Sequence, residues 1–196
     1  MDLSARLDCM DLVQRWALYR DQGRWPELLS TFHPEGTITV TWFRGPFVDF
    51  VAKSQKAALA AKSTSKHLIG WPIVTLAGDR AIAETNVSIL GRQVLAGVQV
   101  DNLSYGRFLD RIERRDGQWR ICERAAIYEK DRLDPVVPGA AFDRMMAEAD
   151  FSPYPEAYRF LAYRLVNGGR ELASPIMCHG SEDTKALYRR YHDWIS

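Results

Sequence analysis

GRFLDRIERRDGQWR, residues 106–120, carries the strongest turn signal in the chain. Alternating apolar and polar residues lead into Arg115-Asp116-Gly117-Gln118 and resume after it, which is typical of two antiparallel strands joined by a tight turn. Glycine readily adopts the positive φ that such a turn requires. The stretch therefore predicts a β-hairpin, and the period of two continues outward from it in both directions.

The same period of two predicts a long antiparallel meander in the middle of the chain. Its four strands are separated by glycine-containing breaks and span residues 67–77, 80–90, 98–114 and 118–130. An earlier β-branched run at 37–42 also alternates, with Ile38, Val40 and Trp42 on one face. Because consecutive antiparallel strands usually lie side by side, we expect one twisted sheet that must bury a face.

Helical spacings of three and four precede and follow this meander. They predict three helices near the N-terminus, at residues 3–22, 25–32 and 47–61. Three shorter helices are predicted in the tail, the last with Ser181 as its N-cap. Helices and strands in separate blocks indicate the α+β class. We divide the chain into an α+β domain at 1–134 and a helical C-terminal extension at 135–196.

The composition is that of a globular protein. The chain has 196 residues, of which 46% are hydrophobic and 26% charged, with a formal net charge of +1. This balance provides no general attraction to nucleic acid or to an anionic membrane. The first residues lack the pattern of a secretory signal, and no apolar run approaches the roughly 20 residues of a membrane span. We therefore expect a cytoplasmic location.

Cysteine and histidine positions give no sign of a metal site. The three cysteines, Cys9, Cys122 and Cys178, are widely spaced, and the chain has no C-x-x-C. We interpret them as free thiols in a reducing compartment. The sequence also lacks a glycine-rich phosphate-binding loop and a G-x-S-x-G motif, which would hold a nucleophilic serine. We therefore expect no cofactor.

Five short stretches, in this order, resemble the nuclear transport factor 2-like superfamily in its SnoaL-like branch. They match its first helix end, the following turn, its pocket histidine and its closing hairpin, and they lie at residues 19–25, 32–34, 65–70, 106–111 and 114–120. The resemblance covers roughly residues 3–132. It implies a cone-shaped, cystatin-like fold, in which a curved antiparallel sheet wraps around the N-terminal helices and a pocket. It also implies that the tail beyond is an extension that several members carry as a lid.

Asp21 and His67 match positions that are especially similar in two members of this superfamily, scytalone dehydratase and the hexachlorocyclohexane dehydrochlorinase. Both use an Asp–His pair to remove a proton and a leaving group from a ring, so the resemblance implies the same pair of catalytic residues here. The chemistry suits these residue types. Histidine titrates near neutral pH, and a carboxylate bonded to one ring nitrogen fixes the tautomer and stabilises the imidazolium.

The proposed pocket is lined by aromatic and aliphatic side chains, each of which is also compatible with an ordinary core position. The candidate substrate-binding residues are Trp42, Phe108, Tyr19, Trp16, Val87 and Ile89. Arg20 stands where scytalone dehydratase has a tyrosine, Gly91 aligns near its second pocket histidine, and Phe108 aligns near a pocket asparagine. We therefore expect a more apolar pocket and a different substrate.

The sequence favours a cofactor-independent, dehydratase-like lyase acting on a small hydrophobic or aromatic ring. Two alternatives remain open: an isomerase or cyclase with the same base, and a non-catalytic binding or accessory protein. The convex face of the sheet is predicted to carry the apolar side chains of Leu103, Tyr105 and Leu109, which must be shielded from water. We therefore expect a homo-oligomer, either a dimer or a trimer, that buries this face.

Overall fold

The structure, a computed structural model, describes residues 2–60 and 64–196. The helices within these residues are α1 (Leu3–Gln22), α2 (Trp25–Ser30), α3 (Phe47–Ala60), α4 (Ala140–Glu148), α5 (Arg159–Asn167) and α6 (Glu182–Ile195). The strands are β1 (Phe32–Val40), β2 (Phe43–Pro46), β3 (Thr64–Ile69), β4 (Ile73–Ala77), β5 (Arg80–Leu95), β6 (Val98–Arg115), β7 (Gln118–Pro135) and β8 (Met177–Cys178). The predicted α+β class is confirmed. No helix of the described chain is long and apolar enough to cross a bilayer.

All the strands belong to one curved sheet, with the order β2-β1-β7-β6-β5-β3. β4 also pairs with β5, and β8 pairs with β7. The sheet is mixed and differs at one edge from the antiparallel sheet expected, because β1 and β8 both run parallel to β7. Alternation in a sequence indicates which face a side chain takes, but it carries no information on the direction of the neighbouring strand.

Two tight turns join the three longest strands. Asp116 and Gly117, between β6 and β7, have φ angles of 51° and 76°, and Ala96 and Gly97, between β5 and β6, have 46° and 80°. Positive φ at both central residues gives a turn whose twist matches that of the strands. The predicted hairpin is confirmed, and the strands extend further than the pattern indicated.

The strand expected at 67–77 is divided into β3 and β4. Gly70 still donates its N–H to the carbonyl of Asn86 at 2.8 Å. Pro72 then has no N–H with which to continue the ladder, so the pairing with β5 is interrupted. As a result β3 is a short strand that ends two residues after His67.

α1 lies against the concave face and packs on β3, β4, β5 and β7. The Asp2 carboxylate accepts the Ala5 N–H at 3.0 Å where the helix begins, and Gly23 ends it in a left-handed conformation, with φ of 66°. Val13 and Trp16 are almost completely buried between helix and sheet. The cap at Gly23 fixes the last turn of α1, and with it Asp21, beside β3.

The C-terminal extension covers both faces of the sheet. Leu161 and Leu165 of α5 join the core that α1 forms on the concave face. Leu187 and Tyr191 of α6 pack on the opposite face against Leu109. Leu109 is therefore covered by the last helix of its own chain, and the homo-oligomer stays a prediction.

The boundary at 134 also stays a prediction. The extension is not wholly helical, because β8 adds to the edge of β7.

Candidate active site

Asp21 and His67 are in direct contact where α1 meets β3. One carboxylate oxygen, Asp21 Oδ1, lies 2.6 Å from His67 Nδ1, and the other accepts the backbone N–H of His67 at 2.8 Å. The Lys66 ammonium lies 3.7 Å from the second oxygen. The side chains are only 4% exposed for Asp21 and 11% for His67. Both oxygens of Asp21 thus hold His67 in one orientation.

The surroundings of this pair favour a neutral imidazole beside an ionised carboxylate. Burial lowers the pKa of His67, against the opposing effect of Asp21, and the positive charges of Arg20 and Arg124 lower it further. Burial alone would raise the pKa of Asp21, but the hydrogen bonds that Asp21 accepts from His67 outweigh this effect, and with the positive charge of Lys66 nearby the pKa is lowered. Because Asp21 accepts from Nδ1, the unprotonated ring nitrogen is Nε2.

A cavity of about 460 Å³ lies beside His67, between α1, α3, α5 and the concave face of the sheet. This volume is typical of a small-molecule site. Five of the residues singled out from the sequence line it: Trp16, Trp42, His67, Ile89 and Phe108.

Two expected lining residues, Tyr19 and Val87, lie elsewhere. Tyr19 is about 100° around α1 from Arg20, which does line the cavity. The Tyr19 ring faces a separate surface groove and is covered by the Arg24 guanidinium, 4.4 Å from its centroid. Val87 has the same strand phase as Ile89 but is 4% exposed and packs in the core. Strand phase therefore identified the correct face, but not how far along the strand the cavity reaches.

The aromatic wall of the cavity rests on a buried ion pair. The Trp16 ring is edge-on to His67 at 5.6 Å and to Phe108 at 5.3 Å between centroids. Behind them, the Arg124 guanidinium lies 4.3 Å from the centroids of both Trp16 and Phe108. It donates two hydrogen bonds to Asp110, at 2.6 and 2.7 Å, and neither side chain is exposed. This pair supports the aromatic wall of the cavity from behind.

Three arginines also line the cavity, which is less apolar than the sequence led us to expect. Arg20 comes from the last turn of α1, Arg164 from α5, and Arg170 from the segment after α5. The Arg170 guanidinium lies 4.4 Å from the centre of the Trp42 ring. In the sequence, Arg20 stood out only as a departure from a relative. The resemblance implied a lid formed by the tail, but no local pattern indicated that Arg164 and Arg170 would line the cavity.

Tyr128 is a further lining residue that the sequence reasoning missed. Its phenol oxygen accepts the backbone N–H of Thr41 at 3.0 Å. Burial raises the pKa of Tyr128, so its O–H stays protonated and can donate to a ligand. It has the inward phase of Arg124 and Ala126 on β7, and that phase was the available signal.

Among the residues that the structure describes, no cluster of three or more histidine, cysteine or acidic side chains is arranged to hold a metal ion. The polar groups at the cavity are therefore those of His67, Tyr128, the three arginines and a few neutral side chains.

Residues 1–125 match the family model of the SnoaL-like domain. An uncharacterized protein of Emericella nidulans is 29% identical to this chain over 206 residues, which cover 97% of this chain and 85% of that protein. The matched region therefore includes the C-terminal extension as well as the cone.

Two solved structures share the fold, including both kinds of enzyme that the sequence resembles. A candidate scytalone dehydratase from Novosphingobium aromaticivorans superimposes with a TM-score of 0.56 at 15% identity, over 71% of this chain and 92% of that one. A type 2 hexachlorocyclohexane dehydrochlorinase gives a TM-score of 0.56 at 17% identity, over 70% and 92%. The predicted resemblance is confirmed at the level of the fold.

Proposed function

This chain belongs to the family of SnoaL-like domains, and on that premise we propose that it is a cofactor-independent lyase that removes water from a small cyclic substrate. His67 is the general base, and Asp21 orients it. The observation that carries the proposal is the 2.6 Å contact between Asp21 and His67 Nδ1, which leaves Nε2 as the basic atom beside the cavity. Two structural neighbours named for eliminations, a dehydratase and a dehydrochlorinase, support the reaction class.

The proposed reaction begins with a ring C–H that is made acidic by a neighbouring carbonyl. His67 Nε2 takes the proton, and the electron pair of the C–H bond forms the new C=C bond as the β-hydroxyl leaves. The imidazolium, stabilised by Asp21, returns the proton to the departing hydroxyl, so water is released and His67 is restored. Tyr128 can donate its O–H to the carbonyl oxygen and so stabilise the negative charge that develops there.

The low pKa of His67 supports this role, because it keeps the base unprotonated at neutral pH. The cavity supports it in a second way. The rings of Trp16 and Phe108 are almost completely buried, and the Asp21 side chain is only 4% exposed. Low exposure to water strengthens the interaction between Asp21 and the imidazolium.

The test is turnover of a panel of cyclic β-hydroxy ketones, followed by the absorbance of the conjugated enone that elimination forms. We expect His67→Ala to lower the rate by about 10²- to 10⁴-fold, the usual contribution of a general base. His192→Ala is the matched control, because His192 lies beside Asp193 on α6 with 81% of its side chain exposed. An elimination rate in His67→Ala equal to that of the control would refute the assignment.

The same panel in D₂O separates the other functions that the cavity suits. Incorporation of deuterium without loss of water would identify an isomerase or cyclase that uses the same base. Saturable binding with neither exchange nor elimination would identify a binding protein.

A further inference from the structure

The three arginines of the cavity differ from most other arginines of the protein. Within the part of the chain that the structure describes, Arg20, Arg164 and Arg170 have no carboxylate within 4.0 Å, whereas arginines on the surface form several such pairs. Residues 61–63, which are not described, are Ala-Lys-Ser and contain no acidic side chain. The charge on these three guanidinium groups is therefore not balanced by a direct ion pair.

The nearest acid is already engaged. Asp21 uses both oxygens for His67 and has Lys66 as a further neighbour. It follows Arg20 directly in the chain, and its charge partly offsets the effect of burial on Arg20. Asp21 is one negative charge among three cavity arginines and a lysine, so the cavity has a net positive charge.

Arg164 is the clearest example of a cavity arginine whose charge has no partner among the described residues. Its Nε is buried and has no hydrogen-bond partner in the described residues, and its Nη1 donates only to the neutral Gln93 Oε1, at 3.2 Å. Burial and the positive charge of Arg170 lower the pKa of Arg164 to about 10. Arg164 is partly buried, and a cation in such a position without a counter-charge is less favourable than a paired one. A bound anion would supply the missing counter-charge.

We propose that the cavity binds an organic anion, a ring compound with a carboxylate group, whose charge lies against Arg20, Arg164 and Arg170 while its ring lies against Trp16 and Trp42. A carboxylate fits because it is planar and accepts two parallel hydrogen bonds from one guanidinium. This substrate class deepens the proposed function and rests on it: the arginines hold the acid group, and His67 attacks a C–H bond of the same molecule.

A matched pair of probes tests the proposal in the full chain. 2-Naphthoate and 2-naphthamide have the same ring system and differ in charge, and binding of either is followed by calorimetry. At neutral pH and low salt we expect the acid to bind at least about tenfold more tightly, as hydrogen bonds between charged groups imply. Equal affinity for the two probes would overturn the proposal.

Arginine variants test which side chains cause the preference for the acid over the amide. Arg164→Met is expected to remove most of the preference for the acid, while Arg164→Lys, which keeps the charge, is expected to retain part of it. Arg144→Met is the control, because Arg144 is exposed on α4, away from the cavity. If Arg164→Met destabilises the fold, Arg170→Met provides the second measurement. The same preference in both methionine variants of the cavity as in the control would contradict the role of these arginines.

His67→Ala separates this inference from the proposed function. If the arginines hold the anion, the variant still prefers 2-naphthoate although it no longer catalyses elimination. Loss of the preference in His67→Ala would mean that the imidazole binds the acid, and the inference would fail while the catalytic role of His67 stood. Retained elimination in His67→Ala, with the preference for the acid intact, would refute the lyase mechanism alone.

Discussion

The Asp110–Arg124 pair and the Asp21–His67 pair both reach Trp16, but one is sealed in the core and the other meets a cavity. Asp110 and Arg124 are completely buried and joined by two hydrogen bonds. His67 is 11% exposed, with Nδ1 bonded and Nε2 beside the cavity. The difference teaches that a buried hydrogen-bonded pair is suited to chemistry when one of its polar atoms is left for a ligand. It is suited to structural support when its members mainly satisfy each other.

We call Asp21–His67 the open pair and Asp110–Arg124 the sealed pair. The largest effect, a loss of activity, is expected when the carboxylate of the open pair is neutralised. Asp21→Asn keeps the size of the side chain but removes the charge that stabilises the imidazolium and weakens control of the tautomer. We expect elimination to slow by about 10²- to 10⁴-fold with the fold retained. Initial rates and circular dichroism measure the two properties.

Asp193→Asn is the control for this change, since Asp193 lies beside His192 with 82% of its side chain exposed. Activity of Asp21→Asn within about tenfold of the wild type would mean that Asp21 only positions β3, and the open pair would then be structural like the sealed one.

The same substitution in the sealed pair should act on stability. Asp110→Asn leaves the buried Arg124 guanidinium without its counter-charge, and we expect the free energy of unfolding to fall by about 3–5 kcal/mol. Urea denaturation followed by tryptophan fluorescence measures this change.

Asp134→Asn is the control for Asp110→Asn, because it removes the acid of a similar ion pair at the surface. Asp134 also receives two hydrogen bonds from an arginine, Arg132, but both side chains are substantially exposed. Its loss should cost no more than about 1 kcal/mol. Equal costs at Asp110 and Asp134 would show that burial is not what distinguishes the sealed pair.

Local patterns were sufficient to identify the hairpin and the last turn of α1. The Asp-Gly turn adopts the positive φ angles that its residue types favour, and Gly23 ends α1 just after Asp21. Each of these features is encoded within a few neighbouring residues. The contact between Asp21 and His67 is not local, and its prediction came from the resemblance to a family of known fold.

The sealed pair shows why the rest could not be predicted. An uninterrupted ladder from Ile112 and Ile121 would place Glu123 opposite Asp110, bringing two acidic residues together. A bulge between Arg111 and Ile112 shifts the register by one residue and places Arg124 there instead. Alternation in the sequence does not reveal such a shift. The resemblance implied that the tail forms a lid, but the placement of Arg164 and Arg170 at the cavity likewise depends on tertiary packing rather than on a local pattern.

A third carboxylate, Asp131 on β7, is only partly buried and gives the smallest predicted effect. It has no cation partner within 4.0 Å in the described chain; one oxygen accepts the N–H of Leu161, at 2.7 Å, and thereby holds the beginning of α5. Burial, partly opposed by hydrogen bonds from the backbone, raises the pKa of Asp131 from 3.8 to about 6. The folded state therefore retains a proton that the unfolded chain releases, so the free energy of unfolding falls as the pH rises from about 4 to above 6.

Asp131→Asn removes this titration and keeps an oxygen that can accept from Leu161. At pH 8 we expect the variant to be more stable than the wild type by about 1 kcal/mol, a value reduced from the full shift because the carboxylate is partly solvated, and at pH 4 the two should be nearly equal. Urea denaturation at both pH values measures this, with Asp143→Asn on the exposed side of α4 as the control. A variant less stable than the wild type at pH 8 would mean that the negative charge itself holds α5 in place, so that a partly buried carboxylate in this fold does not need a cation partner to be stabilising.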